Sequence, residues 1–296
     1  MLEYFGGRLR EALKTVIKRE DITEIRIRAD KPLLVRLAER ELFLNREGQM
    51  CQPEEAYRPS AHEISLTFEL MCNYSVYAFQ EEIRTGYITV AGGHRVGVFG
   101  RAVIENGEVK SIRSVSGLSF RISREIKGCA DRVMRFLSPP MNTLIISPPG
   151  RGKTTLMRDI VRQFSDGGYT VGIVDERSEL AGCYQGVPQK DVGIRTDVLD
   201  ACPKDRGMML LLRSQNPNII AVDEIGGRGD IAAMTEIVHA GVNILCTAHG
   251  SGLSDVRPLL KELRELNVFE RHIVISPSGK PGEIEGIYDG ELVKCT

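Results

Sequence analysis

The residues best suited to chemistry lie in the second half of the chain. Residues 147–155 read SPPGRGKTT, two prolines and two glycines followed by Lys-Thr-Thr at the start of an apolar-periodic run. A strand precedes this segment and a helix follows it by pattern, the context a phosphate-binding loop requires. Gly152, Lys153 and Thr154 fit that motif, whereas Ser147 stands where its first glycine is expected. Provided Ser147 adopts the needed backbone angles, the amides of Gly150, Arg151, Gly152, Lys153 and Thr154 would cradle a β-phosphate at a helix N-terminus. Pro148, Pro149 and Thr155 complete the expected nucleotide-binding segment. Lys153 would reach the β/γ oxygens and the Thr154 hydroxyl would bind Mg²⁺. The structural alternative is an ordinary Gly/Pro turn.

Three further segments end apolar runs in reactive side chains. IIAVDEI (219–225) places Asp223 and Glu224 at a strand end, where the first can hold Mg²⁺ and the second can polarise an attacking water. GIVDERSEL (172–180) brings Asp175 and Glu176 to the same sheet edge, as site acids or as capping residues. ILCTAHGSG (244–252) ends in His249, within the same zone or merely satisfied structurally.

These residues need a scaffold. Nearly continuous Val/Ile/Leu runs at 142–147, 170–175, 217–223, 242–248 and 273–276 read as strands buried on both faces. Helical patterns at 153–165, 206–214, 230–240 and 255–266 alternate with them, which implies βαβ units and a parallel sheet. Asp289-Gly290 marks a closing hairpin. The first half follows a different pattern. Helical periodicity at 9–18 gives way to alternating runs at 22–29 and 33–38, a helical stretch at 61–83, then strands around Asn106-Gly107, a type I′ turn signal. The division expected is an α+β domain over 1–128 and an α/β domain over 129–296, with SREIKGCADRV as the joint.

Size and composition set outer limits. A chain of 296 residues with 42% hydrophobic and 27% charged residues suits two ordinary globular domains. A formal net charge of −1 gives no sign of a nucleic-acid or membrane-surface protein. Seven scattered cysteines without a C-x-x-C pair argue for a reducing compartment and against a disulfide framework or zinc site. Without a signal-peptide pattern, and with no run near the ~18 apolar residues a spanning helix needs, a cytoplasmic protein is expected.

The order of motifs resembles the secretion-type hexameric ATPases of type II and type IV secretion and pilus retraction. The phosphate loop, a strand ending in acids, LRSQNPNIIAVDEIG and AGVNILCTAHGSG follow one another as in that family. Asp223-Glu224 replaces the Gly-Glu usual there. The N-terminal segments ITEIRIRADKPLLVR, GYITVAGGHRVGVFGR and VSGLSFRISREIKG, together with VDERSELAG, further resemble the stage III sporulation protein AA subfamily over nearly the whole chain. That resemblance implies an α/β fold, a P-loop RecA-like ATPase domain with a mainly parallel sheet, preceded by a smaller α+β N-terminal domain. It also implies ATP and Mg²⁺ as ligands, with Glu224, Glu176, Asp175, His249 and Arg213 as catalytic or relaying residues and Thr154 and Asp223 as the metal pair. The implied assembly is a nucleotide-dependent homo-oligomer, a hexamer, in the mother cell. It would meet the membrane through membrane proteins of the stage III sporulation channel, with no transmembrane segment and no direct nucleic acid.

In such rings, basic residues of the N-terminal domain face the γ-phosphate. Arg95 and Arg101, on one face by period-two alternation, and Arg113 and Arg121 on the next strands are the candidates; a solvated strand face is the alternative. The glycines of GGHRVGVFG suggest a bulge or close backbone approach. The chief rival is a nucleic-acid-dependent ATPase or translocase, ranked lower because the chain has no Trp and 6% aromatic residues for stacking. A small-molecule kinase would place its arginine-rich stretch in a lid rather than in another domain. An inactive nucleotide-gated scaffold is the remaining class.

Overall fold

A computed structural model describes residues 1–255 and 268–295. The helix expected over 255–266 therefore falls, apart from Asp255, outside the described residues. The chain divides into two compact units, Met1–Arg124 and Glu125–Thr296. Within the second unit, Lys127 pairs with Asp191 at 2.5 Å and the Asp191 amide donates to Glu125 at 2.7 Å.

The first unit contains α1 (Gly7–Leu13), β1 (Ile22–Arg28), β2 (Leu34–Leu37), β3 (Glu41–Leu44), β4 (Met50–Cys51), α2 (Ala61–Met71), α3 (Gln80–Thr85), β5 (Tyr87–Val90), β6 (His94–Glu105) and β7 (Glu108–Arg121). Its strands form one antiparallel sheet in the order β4-β3-β2-β1-β7-β6-β5. The buried face carries Ile25, Ile27, Val96, Val98 and Phe120, and α2 packs against β1 and β7. Phe5 and Phe120 meet at 4.9 Å between ring centres. The single helical stretch expected over 61–83 is broken: Asn73 and Tyr74 take left-handed conformations (φ 47° and 58°), ending α2 before α3 begins. Asn106 and Gly107 both have positive φ (54° and 82°), as a type I′ turn demands.

Across the other face, Arg95 stands opposite Arg121, Arg121 opposite Glu24, and Glu24 opposite Arg36. Glu24 pairs with Arg36 at 3.1 Å and Arg26 at 3.2 Å, and Arg95 lies over the Tyr87 ring at 4.6 Å. Arg101 stands opposite Arg113, but a bulge separates this pair from Phe99 and Gly117. Gly100 sits at the bulge because any Cβ there would come within 2.7 Å of the Arg113 carbonyl.

The second unit contains α4 (Asp131–Met134), β8 (Thr143–Ser147), α5 (Lys153–Asp166), β9 (Val171–Asp175), β10 (Thr196–Asp200), α6 (Lys204–Ser214), β11 (Ile219–Val222), α7 (Arg228–His239), β12 (Asn243–His249), β13 (Arg271–Ile275) and β14 (Ile284–Asp289). The sheet order is β10-β9-β11-β12-β8-β13-β14, parallel except for β14. Alternation within each strand feeds two cores. Leu144, Ile146, Ile220 and Val222 pack with α6 and α7 residues such as Met208, Leu211 and Met234. Ile145, Ile173, Ala221 and Ile273 pack with Leu156, Ile160 and Phe164 of α5. Two-sided burial is why these strands read as unbroken apolar runs. The edge strand β10, sequence TDVLD, is half-exposed and carries no such run. After the Asp289-Gly290 turn only an isolated bridge, Tyr288 to Lys294, forms; β14 pairs instead with β13.

A buried carboxylate ties α5 to the segment before α4. Asp159 accepts from the Ala130 amide (2.8 Å), from Arg162 (3.0 and 2.7 Å) and from Gln163 (3.1 Å). Burial opposes its ionisation, but these donors together outweigh burial and hold the carboxyl below the usual Asp range. Asp159→Ala leaves the buried Ala130 amide without its acceptor, while Arg162 and Gln163 keep Asp166 and Asp131, and is expected to cost about 1–3 kcal/mol in urea denaturation at neutral pH. Because the folded pKa is the lower one, Asp159 contributes stability above the ordinary Asp pKa, and that contribution fades as pH falls through the folded value. Wild type and variant should therefore converge in acid.

Candidate nucleotide site

β8 ends at Ser147, buried, with its backbone outside the left-handed region and its hydroxyl on the Pro148 carbonyl at 2.9 Å. A serine is therefore accommodated where the motif has glycine. The glycines that need left-handed angles come later: Gly150 (φ 71°) and Gly152 (φ 92°), the latter the N-cap of α5. The first helical bond runs from the Leu156 amide to the Gly152 carbonyl at 2.9 Å, leaving the amides of Lys153, Thr154 and Thr155 as the unpaired first turn of a helix, a natural anion seat. The loop is held from the β13–β14 connection. Arg151 donates through Nε to the Ser276 carbonyl (3.2 Å) and through Nη2 to the Gly279 carbonyl, while the Gly282 amide donates to the Arg151 carbonyl at 2.8 Å.

Parallel strands bring their C-terminal ends to this same edge. Thr154 Oγ1 donates to Asp223 Oδ2 at 3.0 Å, joining α5 to the end of β11. Asp223 Oδ1 accepts from Thr247 Oγ1 on β12, the neighbouring strand, and Thr247 Oγ1 in turn accepts the Glu224 amide at 2.8 Å. Glu224 is left-handed (φ 57°), a conformation that favours glycine. Its carbonyl accepts from Lys204 Nζ at 2.8 Å. Its carboxylate is shared between Arg177 Nη1 at 3.0 Å and His249 Nε2. Lys204, at the start of α6, also meets Glu176 Oε2 at 3.2 Å. A cleft lined by Glu176, Arg177, Glu179, Lys204, Asp223 and Glu224 results.

Asp175 also lines this cleft but is 1% exposed, and its two oxygens take the amides of Glu179 and Ala181, each at 2.8 Å. Burial pushes its carboxyl up and those amides pull it back only partly, so the net shift is upward. From the other side, buried Arg158 donates to the carbonyls of Leu180 (2.5 Å) and Glu179 (2.9 Å). Burial lowers its pKa. Asp175 and Arg158 thus clamp the backbone of the segment that carries Glu176 and Arg177, and no helix begins there for Asp175 to cap.

Of the sequence candidates, Thr154, Asp175, Glu176, Asp223, Glu224 and His249 meet here, with Ser147 beside His249 in register. Arg213 does not join them. It is exposed in the last turn of α6, which at about 1.5 Å per residue lies about 14 Å along the axis from Lys204. Arg95, Arg101, Arg113 and Arg121 all belong to the first unit. Lys204, Arg177, Thr247 and Arg158 went unassigned from sequence. Arg177 directly follows the Asp175-Glu176 pair and Thr247 stands two residues before His249, but Lys204 and Arg158 carry no motif.

The hydroxyl and carboxylate of Thr154 and Asp223 are hard oxygen donors beside a phosphate-type loop, the set that suits Mg²⁺ held jointly with substrate phosphates. Among the described residues no group of three or more His, Cys, Asp or Glu side chains is disposed to hold a metal without substrate. Nor is any helix among them long and apolar enough to cross a membrane.

Comparison with known proteins places these features. The profile of the family described as "Sporulation stage III, protein AA" matches residues 1–294. Stage III sporulation protein AA of Bacillus subtilis (strain 168) is 43% identical over 278 residues, covering 91% of this chain and 87% of that one. Among solved structures, the Legionella pneumophila ATPase DotB aligns with a TM-score of 0.57 at 17% identity, covering 86% of this chain and 72% of that one. The pilus retraction motor PilT with bound ADP aligns at 0.61 and 15%, covering 89% and 76%. At such identities the shared property is the fold: a P-loop, RecA-like α/β domain preceded by a smaller α+β domain.

Gly152 gives a direct check of the loop geometry. A Cβ there would lie 3.3 Å from the Gly282 amide at a φ of 92°. Gly152→Ala should cost about 1–2 kcal/mol in urea denaturation. Gly252→Ala, where a Cβ meets open space, should stay within about 0.5 kcal/mol of wild type.

Proposed function

The chain belongs to the stage III sporulation protein AA family, and from that premise we propose that it is an ATP hydrolase working as a ring, a hexamer formed on nucleotide binding. The observation that carries the reading is the 3.0 Å contact of Thr154 with Asp223, at the mouth of a glycine loop and next to Glu224. The amides of Gly150 to Thr154 receive the β-phosphate, and Lys153 spans the β and γ oxygens. Thr154 and Asp223 would hold Mg²⁺, which when bound neutralises charge on the phosphate oxygens.

Glu224 is the general base. Freed from Arg177 and His249, its carboxylate takes a proton from water as the water oxygen bonds to the γ-phosphorus. The bond from the γ-phosphorus to the β–γ bridging oxygen breaks, leaving ADP and inorganic phosphate. Glu176 and His249 support the γ-phosphate region, and Asp175 acts through the segment it clamps. Arginines of a neighbouring copy, drawn from Arg95, Arg101, Arg113 and Arg121, stabilise the departing charge. Arg213, at the far end of α6, relays occupancy to the ring. The proposed setting is the mother-cell cytoplasm, beneath membrane proteins of the stage III sporulation channel, where hydrolysis drives assembly or transport without direct contact to nucleic acid.

Two variants separate binding from chemistry. Lys153→Ala should lose nucleotide binding and turnover together. Glu224→Gln should bind a fluorescent ATP analogue normally while kcat falls at least about 10²-fold. Size-exclusion chromatography with a non-hydrolysable ATP analogue and Mg²⁺ should show a ring; a chain that stays monomeric at every nucleotide concentration would sink the motor reading.

A further inference from the structure

Glu224 has its backbone in a conformation that glycine adopts readily and glutamate does not, and it has no short polar side chain to stabilise the turn locally. Two neighbours hold it there. The Thr247 hydroxyl takes its amide at 2.8 Å and Lys204 Nζ donates to its carbonyl at 2.8 Å. These bonds act on the main chain, so they hold independently of whether the carboxylate is engaged by Arg177 and His249. Thr247 is already committed to Asp223, but Lys204 comes from a separate element, the start of α6, and its side chain is only 17% exposed. The same ammonium reaches Glu176 Oε2 at 3.2 Å and so links the acid ends of β9 and β11.

We infer that Lys204 is a positioning residue for hydrolysis: it pins the left-handed main chain of Glu224, aiming that carboxylate, and sets Glu176 relative to it. The inference rests on the ATPase reading and adds to it a lysine outside the phosphate loop. Lys204 touches neither nucleotide nor water in this role. A base released from Arg177 and His249 keeps its aim only if its backbone stays fixed, and misplacement by about 1 Å is enough to cost about 10²-fold in rate.

The test uses the full chain with Lys204→Met, Lys204→Gln and Lys204→Arg, measuring kcat and KM for Mg·ATP, affinity for a fluorescent ATP analogue, and Tm. Lys204→Met and Lys204→Gln should lower kcat about 10- to 100-fold with KM and analogue affinity within about threefold of wild type. Lys204→Arg, which can still donate to both acceptors, should recover most of the rate. Wild-type kcat in both Lys204→Met and Lys204→Gln overturns the inference. So does a loss shared equally by kcat, analogue affinity and Tm that arginine does not restore, because that pattern is purely structural. Glu224→Gln, run alongside, tells the two failures apart. If wild type shows no turnover, the hydrolase reading falls and takes this inference with it; if Glu224→Gln turns over like wild type, Glu224 is not the base and the inference falls with that assignment; if Glu224→Gln is inactive while Lys204→Met is not, only the role of Lys204 falls.

Discussion

One hydrogen-bond chain, Thr154 to Asp223 to Thr247, holds the candidate site together. It crosses from the helix after β8 to the end of β11 and on to β12, three elements far apart in sequence and adjacent only because the sheet is parallel. A carboxylate at the end of a buried strand costs several kcal/mol unless its oxygens are satisfied. Both oxygens of Asp223 are satisfied by hydroxyls, groups that can rotate to accommodate a metal without losing their place. Remove either threonine and the glycine loop, the acid strand and the Glu224 turn lose their common anchor.

The acids near this chain differ in role because their surroundings differ. Asp175 has its oxygens filled by backbone amides and is almost wholly buried. Together with Arg158 it fixes the segment that presents Glu176 and Arg177. Glu224 is the reverse case: its backbone is held by Thr247 and Lys204, while its carboxylate meets partners on exposed side chains. A firm main chain with a partly exposed side chain is the arrangement the proposed mechanism asks of Glu224.

Much of this was legible in sequence where burial writes a strong pattern. The runs at β8, β9, β11 and β12 are nearly continuous in apolar residues because both of their faces are covered, and the reactive residues stand at their ends. Asn106-Gly107 announced its turn because two consecutive positive φ angles admit few other pairs. The half-exposed strand β10 escaped notice because an edge strand needs no continuous apolar run. The break at Asn73-Tyr74 was hidden because apolar residues resume on both sides of it, and nothing in Tyr74 itself signals φ of 58°. Lys204 and Arg158 were invisible for another reason. Their roles depend on carbonyls of distant residues, and a main-chain acceptor leaves no trace in the identity of its residue. Arg213 shows the opposite limit, since its place in the LRSQNPN segment singles it out while α6 sets it well away from the cleft.

The most direct test is a crystal structure of the chain with Mg²⁺ and a non-hydrolysable ATP analogue. The account predicts the phosphates on the amides of residues 150–154, the metal between Thr154 and Asp223, and the Glu224 carboxylate turned from Arg177 and His249 toward the γ-phosphate with its backbone still left-handed. A nucleotide bound elsewhere, or phosphates in the loop with Asp223 and Glu224 both facing away, would contradict it.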